Sequence, residues 1–214
     1  MSLSIVPMTK SDIPRCIEIE NLAYADNPLN RVLFPSSDSA GFRSIRENEM
    51  EKAFDEESIS QFFKVVDSEL SGDDATIAWA KWQICPEGFP ERPPRQMDVP
   101  GMDIDVAKLI LGGQDSLINR VITGKPCIYL SNLQTEPKHQ RRGAAAMLVR
   151  LLLEAGKDAD LPVFLVSSRA GYIVYQKNGF VDFEVVETDL RRFGQTEPHV
   201  MTVMRWEAPV DSLG

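Results

Sequence analysis

A stretch of small and basic residues between a strand pattern and a helix pattern is the part of the sequence best suited to chemistry. It reads LQTEPKHQRRGAAAMLVRLLLEAG, and its helix pattern begins at Gly143. The first turn of a helix leaves backbone N–H groups unpaired and carries the positive end of the helix dipole. The small side chains of Gly143, Ala144 and Ala145 let an anion approach those groups. Arg141 and Arg142 add positive charge, so the pattern predicts a phosphate-binding loop.

The same residues also fit a plain strand, turn and helix that carries two solvated arginines. Many helices begin at a small residue with a basic neighbour, so spacing alone leaves both interpretations open. The chain as a whole is acidic, with 23 basic and 32 acidic residues and a formal net charge of −9. A basic cluster is therefore more informative here than it would be in a basic protein.

Other kinds of catalytic site find little support in the sequence. The cysteines Cys16, Cys85 and Cys127 match neither a disulfide framework nor a C-x-x-C metal motif, which favours reduced thiols. His139 and His199 are the only histidines, so a His-rich zinc site is not expected. The sequence contains no G-x-S-x-G elbow and no G-x-x-x-x-G-K-[ST] loop. We expect no metal, no serine hydrolase of the common type and no P-loop nucleotide site.

The composition is that of one globular domain. The chain has 214 residues, of which 43% are hydrophobic and 26% are charged, and this length favours a single domain over residues 1–214. The acidic balance disfavours nucleic acid and anionic membranes as partners. No apolar run reaches the ~18 residues that cross a bilayer, and the first residues do not resemble a signal peptide. We expect a cytoplasmic protein, with a nuclear location left open.

Hydrophobic periodicity predicts a mixed α/β fold that positions the basic loop. The predicted strands, rich in β-branched and aromatic residues, are 2–8, 59–67, 76–84, 127–135, 162–168, 181–190 and 199–206. The predicted helices are one capped by Ser11, then 40–56, 103–111, 115–122, 143–155 and 169–178. We expect a loop at 25–39, a break at Gly112-Gly113 and a helix stop at Gly156.

Two motifs resemble signatures of the GNAT N-acetyltransferase superfamily. LQTEPKHQRRGAA resembles its [QR]-x-x-G-x-[GA] loop after a strand, with Gln140, Gly143 and Ala145 in the loop positions. SSRAGYIVYQKNGF resembles its strand-to-helix passage ending in Y-x-x-x-G-F. The resemblance covers the chain except for an insert at 86–125. It implies a mixed, mostly antiparallel central sheet flanked by helices, with this insert before the central motif strand.

The resemblance also implies acetyl-CoA as co-substrate and assigns residues to it. Backbone amides of the loop would hold the pyrophosphate, and the motif strand, bulged and splayed from its neighbour, would pair with the pantetheine arm. The residues implied in cofactor binding are Leu133, Gln134, Thr135, Gln140, Arg141, Arg142, Gly143, Ala144, Ala145, Ser168 and Tyr175.

The implied catalytic residues are Leu133 and Tyr175. The Leu133 N–H would polarise the thioester carbonyl, which is oxyanion-type stabilisation. Tyr175 stands where many members protonate the departing thiolate, after direct attack of an amine within a ternary complex. The general base is not identified, because the strand presents Cys127, Tyr129 and Ser131 where members often have a glutamate. Asp26, or an acid within 47–57, could serve instead.

Three residues with chemically versatile side chains are expected to have structural and not catalytic roles. We expect Trp79 and Trp82 to be core aromatics and His139 to be solvent-exposed beside the loop. The insert and the loop at 25–35 are expected to border the acceptor, as a lid or as a docking surface.

The class of acceptor is inferred from the length of the insert and the net charge of the chain. A long cover favours an enclosed pocket, and the acidic balance would attract a cationic amine, so we expect acetyl transfer to a small-molecule amine. Two alternatives stay open. One is a protein or peptide acetyltransferase, and the other is a non-catalytic coenzyme A-binding sensor. The sequence does not distinguish a monomer from a homodimer, or acetyl from longer acyl groups.

Overall fold

A single seven-stranded sheet contains strands from both ends of the chain. The computed structural model describes residues 2–35, 40–56, 58–95, 97 and 99–208. The strands are β1 Leu3–Pro7, β2 Ser60–Asp67, β3 Thr76–Cys85, β4 Cys127–Thr135, β5 Val163–Ser167, β6 Val181–Thr188 and β7 His199–Trp206. Their order is β1-β2-β3-β4-β5-β7-β6, and each neighbouring pair is antiparallel except β4 and β5. The mixed, mostly antiparallel sheet is therefore confirmed.

Helices cover both faces of this sheet. They are α1 Ile13–Tyr24, α2 Pro28–Leu33, α3 Ala40–Glu56, α4 Ile104–Ala107, α5 Gly113–Ile122, α6 Ala144–Ala159 and α7 Tyr172–Lys177. No helix within the described ranges is long and apolar enough to cross a membrane.

Alternate side chains of the central strands point to opposite faces and build separate cores. On one face Trp82 and Leu130 pack with Leu148 and Leu152 of α6. On the other face Trp79 packs with residues of α1 and α3. Trp79 and Trp82 are both fully buried, so the expectation of core aromatics is confirmed.

The insert packs into the core of the second face. Ile118 and Val121 of α5 lie in one buried cluster with Tyr129, Phe164 and Val203 from three central strands. Its irregular first part is fixed by Asn119, whose side chain accepts from the Arg92 N–H at 2.8 Å and donates to the Arg92 carbonyl at 3.0 Å. The insert is thus part of the folded domain and not an appended loop.

Two local expectations about the first helix and its exit are wrong. Ser11 does not cap α1, because the chain first makes a 3₁₀ turn at Lys10–Asp12. The Asp12 carboxylate accepts from the Thr9 N–H at 2.8 Å, and Asp12 is the N-cap. The loop expected at 25–39 contains the short helix α2, because the Asn27 side chain accepts from the Leu29 N–H and Pro28 fits a first helical turn. Residues 36–39 lie outside the described part.

Two glycine expectations are also wrong. Gly112-Gly113 does not break the helix, because a π-helical segment, Lys108–Gly112, joins α4 to α5. Gly156 does not end α6, which continues to Ala159. A Cβ at Gly156 would lie 2.9 Å from a Val163 methyl group and 3.1 Å from the Trp206 ring. Glycine is required there for close packing of the helix on the sheet.

Candidate functional site

The loop between β4 and α6 presents a row of backbone N–H groups with no acceptor. Among the described residues, no backbone carbonyl or side chain accepts a hydrogen bond from the N–H groups of residues 141–146. The row leads into α6, which is 16 residues long, so the positive end of its dipole lies at the same place. This arrangement fits a bound phosphate or pyrophosphate group.

The backbone of the loop has a conformation that explains its glycine. Gly143 has a φ of +93°, in the left-handed region where glycine is favoured, and no atom lies within 4 Å of the position that a Cβ would take. Arg141 also has a positive φ of 61°, which is uncommon for a residue with a side chain. The two residues turn the chain where β4 leads into α6.

The two loop arginines differ in their partners. Arg142 donates to the Asp67 carboxylate at 2.6 Å, and it lies 2.9 Å from Nδ1 of His139. No described residue forms an ion pair with Arg141, which is exposed. The Arg142 side chain therefore holds the loop against β2, while Arg141 keeps its charge available. The His139 side chain is only 12% exposed, so the expectation of a solvent-exposed histidine is wrong: the ring lies between the Arg142 guanidinium and the Glu136 carboxylate, 3.7 Å from the latter.

The neighbouring predicted residues lie at the end of β4 and the start of the helix. Gln140 donates to the Thr135 carbonyl at 3.3 Å, which closes the loop. Ala144 is buried beneath the first turn and Ala145 is half-buried. The Gln134 side-chain oxygen and the Thr135 hydroxyl are buried and have no partner among the described residues.

A bulge in β4 separates it from β5 just before the loop. Lys81 pairs with Asn132 and Trp82 pairs with Leu130, so Ser131 is the extra residue in β4. The parallel pairing of β4 with β5 is confined to Ile128–Leu130 and Val163–Leu165. Leu133 lies beyond this pairing, in the part of β4 that has no β5 partner. The bulged, diverging strand is thus present, and the backbone role of Leu133 stays a prediction.

Tyr175 lies on α7 with its ring packed inside the protein. It is 7% exposed and its ring meets Phe180 edge-on at a centroid distance of 5.7 Å. Burial raises the pKa of its hydroxyl, and the nearby Tyr24 and Tyr129 raise this pKa further. The phenol therefore stays protonated at neutral pH, as a proton donor must.

Ser168 follows β5 and contributes to the start of α7. Its hydroxyl accepts from the Gly171 N–H at 3.3 Å and its carbonyl accepts from the Tyr172 N–H at 3.1 Å. These contacts give Ser168 a local structural role. Its predicted contact with the cofactor stays a prediction.

Two residues of the insert, Arg92 and Gln114, contact Tyr129 of β4. The sequence did not predict these contacts. The Arg92 guanidinium lies 4.8 Å from the centre of the Tyr129 ring. Burial raises the pKa of Tyr129, while Arg92 and a hydrogen bond from Gln114 act in the opposite direction. No local sequence pattern identifies Arg92 or Gln114 as neighbours of Tyr129, because both belong to the insert and contact a strand that follows it in the chain.

Most of the acids considered as the general base form ion pairs with basic residues. Glu47, Glu49, Asp55 and Glu56 form ion pairs with Arg43, Arg46, Lys10 and Lys52. Asp26 is exposed just after α1. Glu20, which the sequence did not indicate, is 8% exposed and accepts two hydrogen bonds from Arg46. These contacts single out no residue as the general base.

A cavity of about 430 Å³ opens between α3 and the bulge, and we call it the α3 cavity. Its lining residues are Arg46, Glu49, Met50, Lys52, Ala53, Glu56, Lys81, Arg95 and Asn132. Basic residues outnumber acidic ones in this lining. The lining of this cavity therefore does not share the acidic balance of the whole chain, and the expectation that acidity attracts a cationic amine stays a prediction.

Three comparisons with known proteins were made, and only the comparison with solved structures found similar proteins. No protein-family model matches the sequence, and a search of curated proteins finds no match. Among solved structures, the fold is similar to a histone acetyltransferase HPA2 and related acetyltransferase from Corynebacterium glutamicum, with a TM-score of 0.63, 19% identity and 100% of both chains covered.

Two further structures show the same fold. One is the N-acetyltransferase of a ribosomal-protein alanine from Escherichia coli, with a TM-score of 0.56, 14% identity and 100% and 99% of the two chains covered. The other is PaiA N-acetyltransferase from Thermoplasma acidophilum in complex with coenzyme A, with a TM-score of 0.54, 15% identity and 97% and 100% covered. The predicted GNAT fold is confirmed, and the acceptors named for the first two of these proteins differ.

Proposed function

We propose that this chain, which has the fold of the GNAT acetyltransferases, transfers the acetyl group of acetyl-CoA to the amine of a small molecule. The observation that carries the proposal is the course of β4. Its bulged end leaves β5 after Leu130 and runs into the loop whose N–H groups at 141–146 have no acceptor in the described part of the chain. A diphosphate fits the loop, and an extended arm fits beside the unpaired strand.

The proposed reaction needs one attack and one proton transfer at the thioester. The unprotonated amine attacks the carbonyl carbon, the new C–N bond forms and the C–S bond breaks. The Leu133 N–H stabilises the developing oxyanion. Tyr175, whose raised pKa keeps the phenol protonated at neutral pH, donates its proton to the leaving thiolate. The acceptor nitrogen loses its proton to water, and water returns a proton to the Tyr175 phenolate.

The packing of the insert supports a small acceptor over a peptide. Residues Leu117–Ile122 cover the second face of the sheet at Tyr129 and Phe164, where a peptide would need an open groove. Residues of α2 also pack against the insert, since Val32 and Leu33 lie with Val106 and Ile110 in one cluster. The two segments expected to border the acceptor therefore contact each other.

Thiol release measured with acetyl-CoA and a panel of small amines and lysine peptides tests the proposal. We expect acceptor-dependent thiol release with small amines and an acetylated product that is 42 Da heavier, a mass fixed by the chemistry of acetylation. Faster release with peptides would favour the protein acetyltransferase. Coenzyme A binding by calorimetry without thiol release would favour the sensor. An absence of coenzyme A binding would contradict all three.

A further inference from the structure

We propose that His139 is a positioning residue for coenzyme A, because its neutral ring holds Arg142 of the loop between β4 and α6. Protonation of the ring removes this contact, so coenzyme A binding becomes weaker as the pH falls. The inference rests on the proposed function, because it adds a form of regulation to the same site.

The contact with Arg142 determines which ring nitrogen of His139 carries the proton. Nη1 of Arg142 lies 2.9 Å from Nδ1 of His139. A guanidinium group has only donors and keeps its charge in proteins, so Nδ1 must be the acceptor and carries no hydrogen. A ring with an unprotonated Nδ1 is neutral and has its proton on Nε2. The geometry therefore fixes both the charge state and the tautomer of His139.

The other ring nitrogen is enclosed but makes no hydrogen bond. Nε2 of His139 is buried and has no partner in the described part of the chain. Oε2 of Glu136 lies 3.7 Å from it, which is too far for an N–H···O hydrogen bond, and this oxygen accepts from Arg15 instead. Among the described residues, Arg142 is thus the one hydrogen-bond partner of the ring.

Charged residues from several elements face the ring or its partners. They belong to α1, the end of β2, the turn before β3, the end of β4 and the loop, and they are Arg15, Glu18, Asp67, Asp74, Glu136, Lys138 and Arg142. Asp67 is paired with Arg142, and Glu136 is paired with Arg15 and Lys138. Histidine is the only side-chain type in this network whose charge ordinarily changes between about pH 5 and 8. A pH change within this range therefore acts on the network through His139.

A proton on Nδ1 would place one donor opposite another. The hydrogen bond between Arg142 and His139 would be lost, and two positive charges would face each other across the same short distance. The charged ring would also attract the Asp67 carboxylate, with which it interacts electrostatically. Arg142 would thus lose one hydrogen bond and would compete with the ring for the other.

Arg142 connects the ring to the backbone that we assign to the diphosphate. It lies within the row of N–H groups at 141–146 and directly precedes Gly143, whose φ is +93°. One nitrogen of its guanidinium contacts His139 and another donates to Asp67. A released side chain would leave this backbone free to change conformation. Coenzyme A would then bind more weakly, because part of the binding energy would be spent on ordering the loop.

NMR of the histidine rings tests the tautomer directly. The chain has only two histidines, His139 and His199, so ¹⁵N-labelled histidine gives two ring spectra, and His139→Asn shows which one belongs to His139. At about pH 8 we expect a neutral ring with its proton on Nε2. A proton on Nδ1 at this pH would overturn the inference.

Calorimetry with coenzyme A at about pH 8 and about pH 5.5 tests the consequence for binding. The unmodified protein should bind coenzyme A roughly tenfold more weakly at the lower pH, the effect of losing a hydrogen bond to a charged group. His139→Asn places an amide oxygen near the position of Nδ1 and cannot be protonated, so it should bind tightly at both pH values. His139→Lys carries a positive charge throughout and should bind weakly at both.

The ligand also titrates, since a phosphate monoester has a second pKa of about 6. This contribution is common to all variants, so the comparison is made between variants and repeated with dephospho-coenzyme A, which lacks the monoester. His199→Asn is the matched control. His199 begins β7, which is two strands from β4 in the sheet, and its variant should keep the pH dependence of the unmodified protein.

The same pH dependence in the unmodified protein and in His139→Asn would overturn the inference and leave the proposed function intact, because coenzyme A would still bind. A protein that binds no coenzyme A at either pH would overturn both.

Discussion

The Arg142 guanidinium donates to the Asp67 carboxylate at 2.6 Å and so links the loop between β4 and α6 to the end of β2. The Asp67 oxygen on the other side accepts from the Glu69 N–H at 3.1 Å, which fixes the carboxylate at the strand end. The loop is therefore oriented by a contact between residues 75 positions apart in the sequence.

We predict that Asp67→Asn weakens coenzyme A binding although Asp67 is not assigned to the ligand. The substitution keeps the shape of the side chain and removes the charge that holds Arg142, so the loop loses its orientation. Calorimetry should show lower coenzyme A affinity at pH 7. A variant with unchanged affinity would show that the loop keeps its conformation without this contact.

The same substitution should change the acid stability of the protein. The hydrogen bond from Arg142 lowers the pKa of Asp67 from its ordinary value. A carboxyl whose pKa is lower in the folded state stabilises the protein above its unfolded pKa of about 3.9, and this contribution is lost as the pH falls through the folded pKa. Denaturant unfolding at pH 7 and below pH 3 should show a smaller loss of stability in Asp67→Asn than in the unmodified protein.

We predict that Gly143→Asp abolishes coenzyme A binding, because it places a side chain and a negative charge against the loop N–H groups. Gly194→Asp is a matched control. Gly194 also has a positive φ, at +80°, with no atom within 4 Å of a Cβ position. Both variants should lose about 1–2 kcal/mol of stability from the left-handed backbone. Equal coenzyme A affinity in the two variants would refute the phosphate-loop assignment.

We predict that Tyr175→Phe lowers kcat by roughly 10²–10⁴, the usual effect of removing a general acid. Acetyl-CoA affinity should change little, because the ring and its contact with Phe180 remain. Tyr172→Phe is the control on the same helix, since the Tyr172 hydroxyl donates to Asp182 at 2.9 Å. Full turnover in Tyr175→Phe would mean that the thiolate leaves without this proton donor.

We predict that the cysteines do not react with Ellman's reagent in the folded protein at pH 8. All three are free and buried, and burial raises their pKa, to about 12 for Cys127. The thiolate is the reactive form, so the native protein should give no absorbance change until denaturant is added. Rapid labelling would contradict the burial and would also add a background to the thiol-release assays.

The conformation of the loop between β4 and α6 could be predicted from the sequence because its features are local, whereas phosphate binding by this loop stays a prediction. A glycine, two small residues and an amphipathic helix lie within a few positions, and their conformation follows from neighbours along the chain. The strands were predicted for the same reason, since period-two patterns need no knowledge of partners.

The remaining features depend on contacts between distant residues. Gly156 reads as a helix stop, and only the approach of Val163 and Trp206 shows that its missing side chain serves packing. The α3 cavity combines Arg46, Lys81 and Arg95 from three separate segments. The charge of such a cavity cannot be derived from the net charge of the chain, because the chain average does not say which residues meet.

The last prediction concerns the insert, which could be a detachable lid or part of the core. Ile118 is fully buried and packs with Tyr129 and Phe164, so Ile118→Ala should cost about 2–5 kcal/mol of unfolding free energy. Ile104→Ala is the control in the same insert, because Ile104 is 47% exposed, and it should cost less than about 1 kcal/mol. Urea unfolding monitored by circular dichroism measures both. If the two variants were equally stable, the insert would be a cover that can leave the sheet. A large difference means that the insert is part of the folded core and not a detachable cover.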